Sequence, residues 1–539
     1  MSVWQQNYDP FGNEVVSTIV AAIPVVLLLG IIASGKLRIH LAALLAFVVA
    51  LGVACGGFHM PLNSALGAAA NGVGFGLFPI GWLILNLIFL YRMTVEKGWF
   101  DALRTSFSHI APDKRIQLIL VAFCFGAFFE GVAGFGAPVA VSAALLIQLG
   151  FEPVEACVLS LIANTAPVAF GSLGIPIITL SKVTGIEVME LSKMAGRQLT
   201  LFCFVVPSWI MVAHGGWRAL RGVWPVTLVA GVSFGIVQLI ISNKFGPEMV
   251  DIAGGLVAMI CVVLLLKVWK PKDVEKPAEG HQKSGTVLKR AWLPWIILTV
   301  TIFIWSQPST KAVLDGVFSR KIPVPAVHNA IVRTPPVVPV DAKPEEALYN
   351  LNLLSATGTG ILLAAIISGL VMGFSPLGML KRWLDTIVHV RFSLLTIAAM
   401  MALGFVTKYS GSDATLGLAL AHTGWLYPFF GTLLGWLGVA LTGSDTSSNV
   451  LFGSLQTITA NQVGVSPVLM ASANTVGGVM GKMIDAQSIV VASTAAQVYG
   501  RESAVLRRVI WHSLALAVLV GVLVFLQAYV WPFTLMVVK

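Results

Sequence analysis

The chain has 539 residues, of which 57% are hydrophobic and only 11% are charged. Soluble domains average about 25% charged residues, so this composition excludes a soluble enzyme, a nucleic-acid-binding protein and a disordered chain. The net charge of +10 comes from 34 Lys and Arg against 24 Asp and Glu. Since most of these cations stand between apolar runs, the positive-inside rule accounts for them better than nucleic acid does. The composition therefore predicts an all-α polytopic membrane protein.

Apolar runs long enough to cross about 30 Å of hydrocarbon recur along the chain. The predicted full spans are 15–35, 39–58, 78–92, 198–214, 222–242, 249–269, 291–307, 355–373, 391–409 and 508–530. The first run has no basic segment before it, so we expect a retained helix rather than a signal peptide. Residues 97–112 and 376–390 suit interfacial amphipathic helices and ordinary loops equally well.

Two stretches are too short and too polar at their centres to be simple spans. Residues 115–150 have two apolar arms around Glu130–Pro138, and residues 425–462 have two arms around Gly443–Asn449. Non-helical backbone at membrane depth is tolerated only where it is buried in protein or lines a cavity. Each stretch is therefore predicted to be a re-entrant hairpin.

A broken helix is predicted after each hairpin, and the two regions look like copies. The broken helices are 154–184, with breaks around Asn164–Pro167 and Gly171–Pro176, and 466–495, with breaks around Asn474–Gly478 and Gly481–Met483. Ala163-Asn164-Thr165 recurs at residues 473–475, an offset of 310. Coincidence between glycine-rich segments is the alternative, but the shared order of hairpin, break and basic loop favours duplication.

The predicted organisation has three parts. A first repeat covers 1–215, linking spans and a cytoplasmic loop cover 216–290, and a second repeat covers 291–539 with a proline-rich external loop at 308–350. Placing the basic residues 270–290 in the cytoplasm makes the two hairpins open to opposite sides. The expectation is an inverted repeat with about 12 crossings plus two re-entrant hairpins.

Paired breaks in the two halves of an inverted repeat point to a transporter binding site. Glycines at the first tip expose N–H groups that attract anions, and the hydroxyls and amides near the second tip can donate to a carboxylate. The candidate substrate-binding residues are Gly134, Gly136, Asn164, Thr165, Ser444, Thr446, Ser447, Ser448, Asn474, Thr475 and Lys482. Close helix packing is the alternative role for the small residues.

Ionisable groups inside a membrane are costly and mark function by default. Glu130 and Asp445 at the two tips are the candidate proton-coupling residues, because desolvation favours a protonated carboxyl. Lys482 either attracts an anionic substrate or is neutralised by Asp485 three residues later. We expect Lys408, Asp413 and His422 at the outer interface. The sequence indicates no catalytic residue, metal site or cofactor.

Several long motifs closely resemble the bacterial L-lactate permease family, also called the lactate/glycolate permeases. They are Trp4–Pro10, Phe123–Pro138, Asn164–Phe170, Ser355–Thr359, Ala421–Gly424, Leu441–Asn449 and Gly477–Met483. The resemblance implies a multi-pass protein of the bacterial inner membrane that takes up L-lactate with a proton, with D-lactate and glycolate handled by relatives. It also implies kinship with the ion-transporter superfamily, with its inverted repeats and elevator motion. The family usually has Ser-Pro where this chain has Asp485-Ala486, which argues against Asp485 as a shared coupling residue.

The expected partners are therefore L-lactate or a related 2-hydroxymonocarboxylate, a proton and membrane lipid, without nucleic acid; a homo-oligomer is left open. The hypothesis places the substrate carboxylate between the tips, near Lys482 and the Asn, Thr and Ser donors, with the proton on Glu130 or Asp445. Sodium coupling is a second interpretation, since unwound carbonyls also bind Na⁺. A membrane-embedded enzyme is a third, but neither HExxH nor GxSxG occurs.

Overall fold

The structure is a computed structural model. It describes residues 3–34, 36–99, 111, 113–132, 134, 136–274, 293–338, 343–421 and 423–538. The predicted interfacial helix at 97–112, most of the basic loop at 270–290, and His422 lie largely or wholly outside these residues. The other predicted interfacial segment, 376–390, is the beginning of one long helix that extends to Ser410.

The described part of the first half is helical almost throughout. Its helices are α1 (Glu14–Ser34), α2 (Ile39–Gly52), α3 (Leu62–Phe75), α4 (Trp82–Glu96), α5 (Lys114–Leu118), α6 (Gly126–Val132), α7 (Ala137–Gln148), α8 (Pro153–Ala163), α9 (Gly171–Thr184), α10 (Val188–Lys244) and α11 (Val250–Val268). Three π-helical segments, Val53–Gly57, Gly76–Gly81 and Ile119–Phe125, extend α2, join α3 to α4 and join α5 to α6. A short 3₁₀ turn, Val168–Phe170, precedes α9.

The described part of the second half adds ten helices and most of the strands. The helices are α12 (Leu293–Ser306), α13 (Pro308–Val317), α14 (Thr357–Val371), α15 (Pro376–Ser410), α16 (Ser412–Ala421), α17 (Tyr427–Thr442), α18 (Asp445–Val463), α19 (Pro467–Gly481), α20 (Ala486–Ala495) and α21 (Glu502–Tyr529). The strands are β1 (Trp4–Gln5), β2 (Arg320–Pro323), β3 (Ile331–Val332) and β4 (Leu348–Leu351).

These strands correct the all-α expectation in one region. β1 pairs in parallel with β3, with Trp4 opposite Ile331. β2 pairs antiparallel with β4, with Arg320 opposite Leu351. The segment 308–350 therefore begins with a helix and contains small sheets, where its prolines had predicted an extended loop. Prolines are compatible with edge strands and with the first turn of a helix, as at Pro308 and Pro323.

Helix α10 has 57 residues and would be about 86 Å long if it were straight. Instead it folds back on itself at Gly216, whose φ of +66° lies in the region that favours glycine. The Ser192 hydroxyl donates to the Ser242 carbonyl at 2.9 Å, and the Ser208 hydroxyl donates to Thr227 at 3.2 Å. These bonds join the two ends of the chain segment, so α10 is a pair of antiparallel arms, matching the predicted spans 198–214 and 222–242.

Eight helical segments among the described residues are long and apolar enough to cross a membrane. They are Glu14–Ile32, His40–Gly57, Leu62–Glu96, Val188–Lys244, Val250–Val268, Pro376–Ser410, Gly424–Thr442 and Glu502–Tyr529. A ninth is added if Pro153–Ala163 and Val168–Ser181, which meet at 64°, form one bent span. Two predicted spans correspond to shorter apolar helices, Leu293–Trp305 and Thr357–Val371. The protein is therefore a polytopic helical membrane protein.

Two helical hairpins and two broken helices position the site. The first hairpin comprises α5, α6 and α7, and the second comprises α17 and α18; the first broken helix is α8 with α9, and the second is α19 with α20. α7 packs against α20, and α18 packs against α9. Each hairpin therefore contacts the broken helix of the other half, and Glu130 of the first hairpin lines the same cavity as the turn of the second.

The second break lies later than one of the two predicted positions. Helix α19 continues through Asn474–Gly478, and the chain leaves the helix only at Lys482–Asp485. The prediction of a break at Asn474–Gly478 is wrong, because the glycines there serve close packing. A Cβ on Gly477 would collide with the Thr432 carbonyl, and one on Gly478 would collide with Asp445. In a buried helix, this close approach outweighs the weak helix propensity of glycine.

Candidate functional site

A cavity lies where the two hairpin turns meet the two broken helices. It contains about 560 Å³ of empty space, including its opening. Its lining residues are Phe75, Ile80, Glu130, Val168, Gly171, Ser172, Ile175, Pro176, Met401, Gly443, Ser444, Asp445, Thr446, Lys482 and Gln487. Both halves of the chain contribute, and the ionisable lining residues come from the hairpins and the second break. Pockets of this kind, mostly apolar with a few convergent polar groups, are typical ligand sites.

Glu130 is the carboxyl on the first-hairpin side of the cavity. It is only 5% exposed, and its Oε2 atom has no hydrogen-bond partner among the described residues. A Cβ on Gly171 would collide with Glu130 Oε1, so the carboxyl rests directly on the glycine backbone of α9. Asn164, at the end of α8, is the neighbouring side chain that interacts with this carboxyl. This side of the site is polar, buried and incompletely hydrogen-bonded.

The backbone of α9 is strained where it touches this carboxyl. Ser172, Leu173 and Gly174 have φ values of +48°, +61° and +74°. The left-handed conformation costs about 1–2 kcal/mol for a residue with a Cβ, and such strain clusters at ligand sites. Gly134 packs so closely on Ser172 that a Cβ would collide with the Ser172 hydroxyl. The first turn and the first break are thus fitted to each other.

Asp445 is the carboxyl on the second-hairpin side. It is 3% exposed, accepts a hydrogen bond from the Thr475 hydroxyl through Oδ2, and has no partner for Oδ1 among the described residues. The Asn449 amide donates to Thr475 Oγ1 at 3.0 Å and to the Pro176 carbonyl at 3.2 Å. Asn449 therefore ties the second hairpin both to α19 and to α9 of the other half.

A chain of buried hydrogen bonds supports this carboxyl from behind. Asn474 Nδ2 donates to Asn449 Oδ1 at 2.9 Å, and Gln456 Nε2 donates to Asn474 Oδ1 at 3.0 Å. The Tyr427 hydroxyl donates to Gln456 Oε1 at 2.7 Å. All four of these side chains are fully buried. Buried polar networks of this kind fix side-chain orientation, because an unmade bond in them is expensive.

Lys482 is the ammonium group of the cavity. Its Nζ donates to the Gly443 carbonyl at 2.5 Å and lies 3.0 Å from Asp485 Oδ2. It is also close enough to interact electrostatically with Glu130 and Asp445. Both interpretations from the sequence thus apply, since Lys482 pairs with Asp485 and also lines the cavity. Asp485 itself is fully buried and caps α20 by accepting from the Ser488 N–H at 2.9 Å.

The structure separates the predicted site residues into two groups. Those that line the cavity are Glu130, Ser444, Asp445, Thr446 and Lys482. The others lie at turns, in packing contacts or within the supporting network: Gly134, Gly136, Asn164, Thr165, Ser447, Ser448, Asn474 and Thr475.

The local contacts explain why the second group does not face the cavity. The Thr165 hydroxyl donates to the Ile162 carbonyl of its own helix at 2.7 Å, and the Ser448 hydroxyl donates to the Gly435 carbonyl at 3.1 Å. Gly136 has a φ of +85°, which the turn before α7 requires. These residues shape the site rather than border its empty space.

Sequence reasoning missed several polar residues of the site. Ser172 and Gln487 line the cavity, while Gln456 belongs to the network. Asn449, which is part of the polar cluster predicted at the second tip, takes part in the same network. Ser172 lies inside the predicted Gly-rich break, and Gln487 lies two residues after Asp485 at the second break. The predicted breaks therefore gave a reason to consider both residues. Gln456 offered no such reason, because it lies within a helical arm.

The comparison with known sequences now decides the family. The sequence model of the L-lactate permease family matches residues 17–531. This chain belongs to the L-lactate permease family. The L-lactate permease of Salmonella typhimurium is 44% identical, with 98% of this chain and 99% of the relative covered. The glycolate permease GlcA of Escherichia coli K12 is 42% identical at the same coverage.

This permease is accordingly a multi-pass transporter of the bacterial inner membrane and not an enzyme. Among solved structures, the YdaH transporter of Alcanivorax borkumensis covers 85% of this chain and 86% of its own, with 13% identity and a TM-score of 0.32. That similarity is too low to carry an argument about the shared fold. No group of three or more His, Cys, Asp or Glu within the described residues is arranged to hold a metal ion.

Proposed function

We propose that this permease takes up L-lactate, and also D-lactate and glycolate, by proton symport, with the substrate bound in the cavity between the hairpin turns. The names of its relatives, L-lactate permease and glycolate permease, support a small 2-hydroxymonocarboxylate as substrate. The cavity offers one ammonium group and several hydroxyl and amide donors, which is the chemistry that such a substrate requires.

The proposal of proton coupling rests on one observation, the balance of buried charge around the cavity. Glu130, Asp445 and Asp485 face or adjoin the cavity, against the single ammonium of Lys482 among the described lining residues and their direct partners. Burying charges without partners is strongly unfavourable. An anionic substrate would add a further negative charge to an excess of carboxylates. Substrate binding is therefore favourable only when Glu130 or Asp445 carries a proton, which couples the two ligands.

The substrate contacts follow from the same geometry. The carboxylate binds beside Lys482 and the hydroxyls of Ser444 and Thr446, where the second hairpin turn faces the cavity. The 2-hydroxyl lies towards the first hairpin and Ser172. Lactate differs from glycolate by one methyl group, which in an apolar pocket changes binding by about 1–3 kcal/mol. The apolar lining at Phe75, Val168 and Met401 accepts either substrate.

The membrane potential supplies a physical reason for carrying the proton. Moving one negative charge into a negative cell costs about 2.3 kcal/mol per 100 mV. One proton carried with each lactate cancels this electrical cost, and the pH gradient then drives uptake. One sodium ion carried with each lactate would cancel the same electrical cost, so uptake driven by a sodium gradient and uptake driven by a pH gradient are compared below.

The proposal includes an architecture and a motion. We propose about 12 crossings, two re-entrant hairpins and inverted repeats, with the parts divided at 1–215, 216–290 and 291–539. The reciprocal packing of α7 on α20 and of α18 on α9 supports two related halves. In an elevator motion, the hairpins and broken helices move together as one transport unit, carrying the cavity between the two membrane faces.

Purified protein in proteoliposomes tests the coupling. An imposed pH gradient, interior alkaline, should drive uptake of labelled L-lactate above equilibrium, and a protonophore should abolish it. Of Glu130→Gln and Asp445→Asn, the variant that lacks the coupling carboxyl should lose this uphill uptake, while the exposed Glu187→Gln should keep it. Uphill uptake driven by a sodium gradient but not by a pH gradient would refute proton symport. Competition by D-lactate, glycolate and pyruvate defines the substrate range.

A further inference from the structure

Asp251 is a buried carboxyl that the transport site described above does not use. It lies in the first turn of α11, within the predicted span 249–269, and is 1% exposed. The backbone of the first hairpin presses directly against it, since a Cβ on Gly131 would lie 2.8 Å from Asp251 Cβ. Gly131 follows Glu130, so Asp251 stands immediately behind the residue that faces the cavity.

The surroundings of Asp251 leave its charge uncompensated. Neither carboxyl oxygen has a hydrogen-bond partner among the described residues. The titratable groups that interact with it are Glu130 from the first hairpin and Cys203 from α10. No Lys or Arg of the described residues donates a hydrogen bond to it, whereas Lys482 lines the cavity together with Glu130. The helix N-terminus offers only weak stabilisation, which does not offset the desolvation of a buried anion.

Asp251 therefore holds a proton when Glu130 is ionised. Two carboxyls that interact in a buried site do not ionise together, and Glu130 Oε2 is also unpartnered within the described structure. Asp251 lies two residues beyond the loop at 245–249, where Phe245 is 72% and Met249 is 45% exposed. The pair thus extends from the cavity towards the protein surface.

We propose that Asp251 and Glu130 form a proton-exchanging carboxyl pair, in which Asp251 passes its proton to the Glu130 carboxylate and is reprotonated from water at the 245–249 surface. The proton leaves the Asp251 hydroxyl oxygen and joins a Glu130 oxygen, so the total charge of the pair is conserved in the transfer. This inference rests on the proposed proton symport and names a second residue required for it. Asp251 is a relay residue that touches no substrate.

The test compares Asp251→Asn with a matched control in proteoliposomes. Asp413 is likewise a buried acid, 1% exposed, but it interacts with Thr407, Lys408 and Arg333 and does not adjoin the first hairpin. With one proton per lactate, a pH difference of one unit supports about tenfold accumulation. Wild type and Asp413→Asn should reach about this ratio. Asp251→Asn should fall to about onefold.

A second readout separates a relay from a structural role. Exchange of labelled for unlabelled lactate at equal pH requires no net proton transfer, so Asp251→Asn should keep it within about twofold of wild type. The pH dependence of its residual net uptake should shift. Asp251→Ser provides a second neutral variant, with less side-chain volume to fit against Gly131, and should show the same pattern.

The outcomes are distinct. Tenfold accumulation with an unchanged pH profile in either folded Asp251 variant overturns the relay, while proton symport stands. Loss of exchange and accumulation together in both variants also overturns it, because Asp251 would then act only on the structure. If wild type itself does not accumulate lactate on a pH gradient, the proposed function fails before Asp251 is tested.

Discussion

Replacing Lys482 by methionine is the sharpest test of how the second break is held together. Lys482 Nζ joins the Gly443 carbonyl to Asp485 Oδ2, and both Lys482 and Asp485 are buried. The Lys482→Met variant keeps most of the side-chain length without the ammonium group and leaves the Asp485 carboxylate with one strong hydrogen bond, from the Ser488 N–H. Its second oxygen then has no partner among the described residues.

The expected cost follows from that orphaned charge. Removing one partner of a buried ion pair typically destabilises a protein by about 3–5 kcal/mol. Replacing both partners by neutral groups is often close to neutral. Lys482→Met should therefore lower the free energy of unfolding by about 3–5 kcal/mol. The double variant Lys482→Met/Asp485→Asn should recover most of this loss, because the asparagine can still cap α20 through its carbonyl oxygen.

Denaturant unfolding in detergent micelles, followed by tryptophan fluorescence, measures the four corners of this double-mutant cycle. Lactate uptake is measured on the same preparations. The double variant should be stable but inactive, since the ammonium that faces the substrate is gone. A loss below about 1 kcal/mol for Lys482→Met, or a double variant as unstable as the single one, would refute the argument about the buried pair.

Three further predictions concern packing, the polar network and pH. Gly435→Ala should destabilise the protein by about 1–3 kcal/mol because its Cβ would collide with a carbonyl of α19. Gly404→Ala is the control and should not, since its Cβ would lie 3.8 Å from the nearest atom, the Leu441 carbonyl oxygen. Equal losses in unfolding free energy for the two variants would contradict this. Thr475→Val should cost about 1–3 kcal/mol and slow uptake, because it leaves a buried carboxyl without its donor. Burial raises the pKa of Glu345, but Arg333 and Lys408 outweigh it and hold that pKa below its ordinary value. Stability from Glu345 is thus present above the ordinary carboxyl pKa and lost as pH falls through the lowered one, so Glu345→Gln should lower the unfolding temperature at neutral pH, and this loss should shrink as the pH falls below the ordinary carboxyl pKa. A loss that does not change with pH would contradict this.

The sequence predicted the charged residues of the cavity better than its uncharged polar residues. Charges are rare in this chain, so Glu130, Asp445 and Lys482 stood out, and the structure places all three around one cavity. Their roles in transport remain predictions. Serines and threonines gave a weaker signal because a hydroxyl in a helix can satisfy itself on its own backbone, as Thr165 does.

The position of the second break shows a limit of local reasoning. Glycine-rich helices look broken in sequence, yet Gly477 and Gly478 lie within an intact α19. Whether such glycines break a helix or allow a close helix contact depends on the residues that pack against them, which are Thr432 and Asp445 in this structure. Asp251 illustrates the same limit, since one acid near the end of an apolar span looks interfacial until its neighbours are known.

The reciprocal contacts between the halves have a consequence for how the protein is made. Helix α7 is synthesised early, but the surface that covers it, α20, is near the end of the chain. The first hairpin therefore cannot reach its final environment before translation is almost complete. During synthesis, the surface of α7 that later packs on α20 is therefore uncovered in the bilayer. Two halves expressed as separate polypeptides should gain activity only when they assemble.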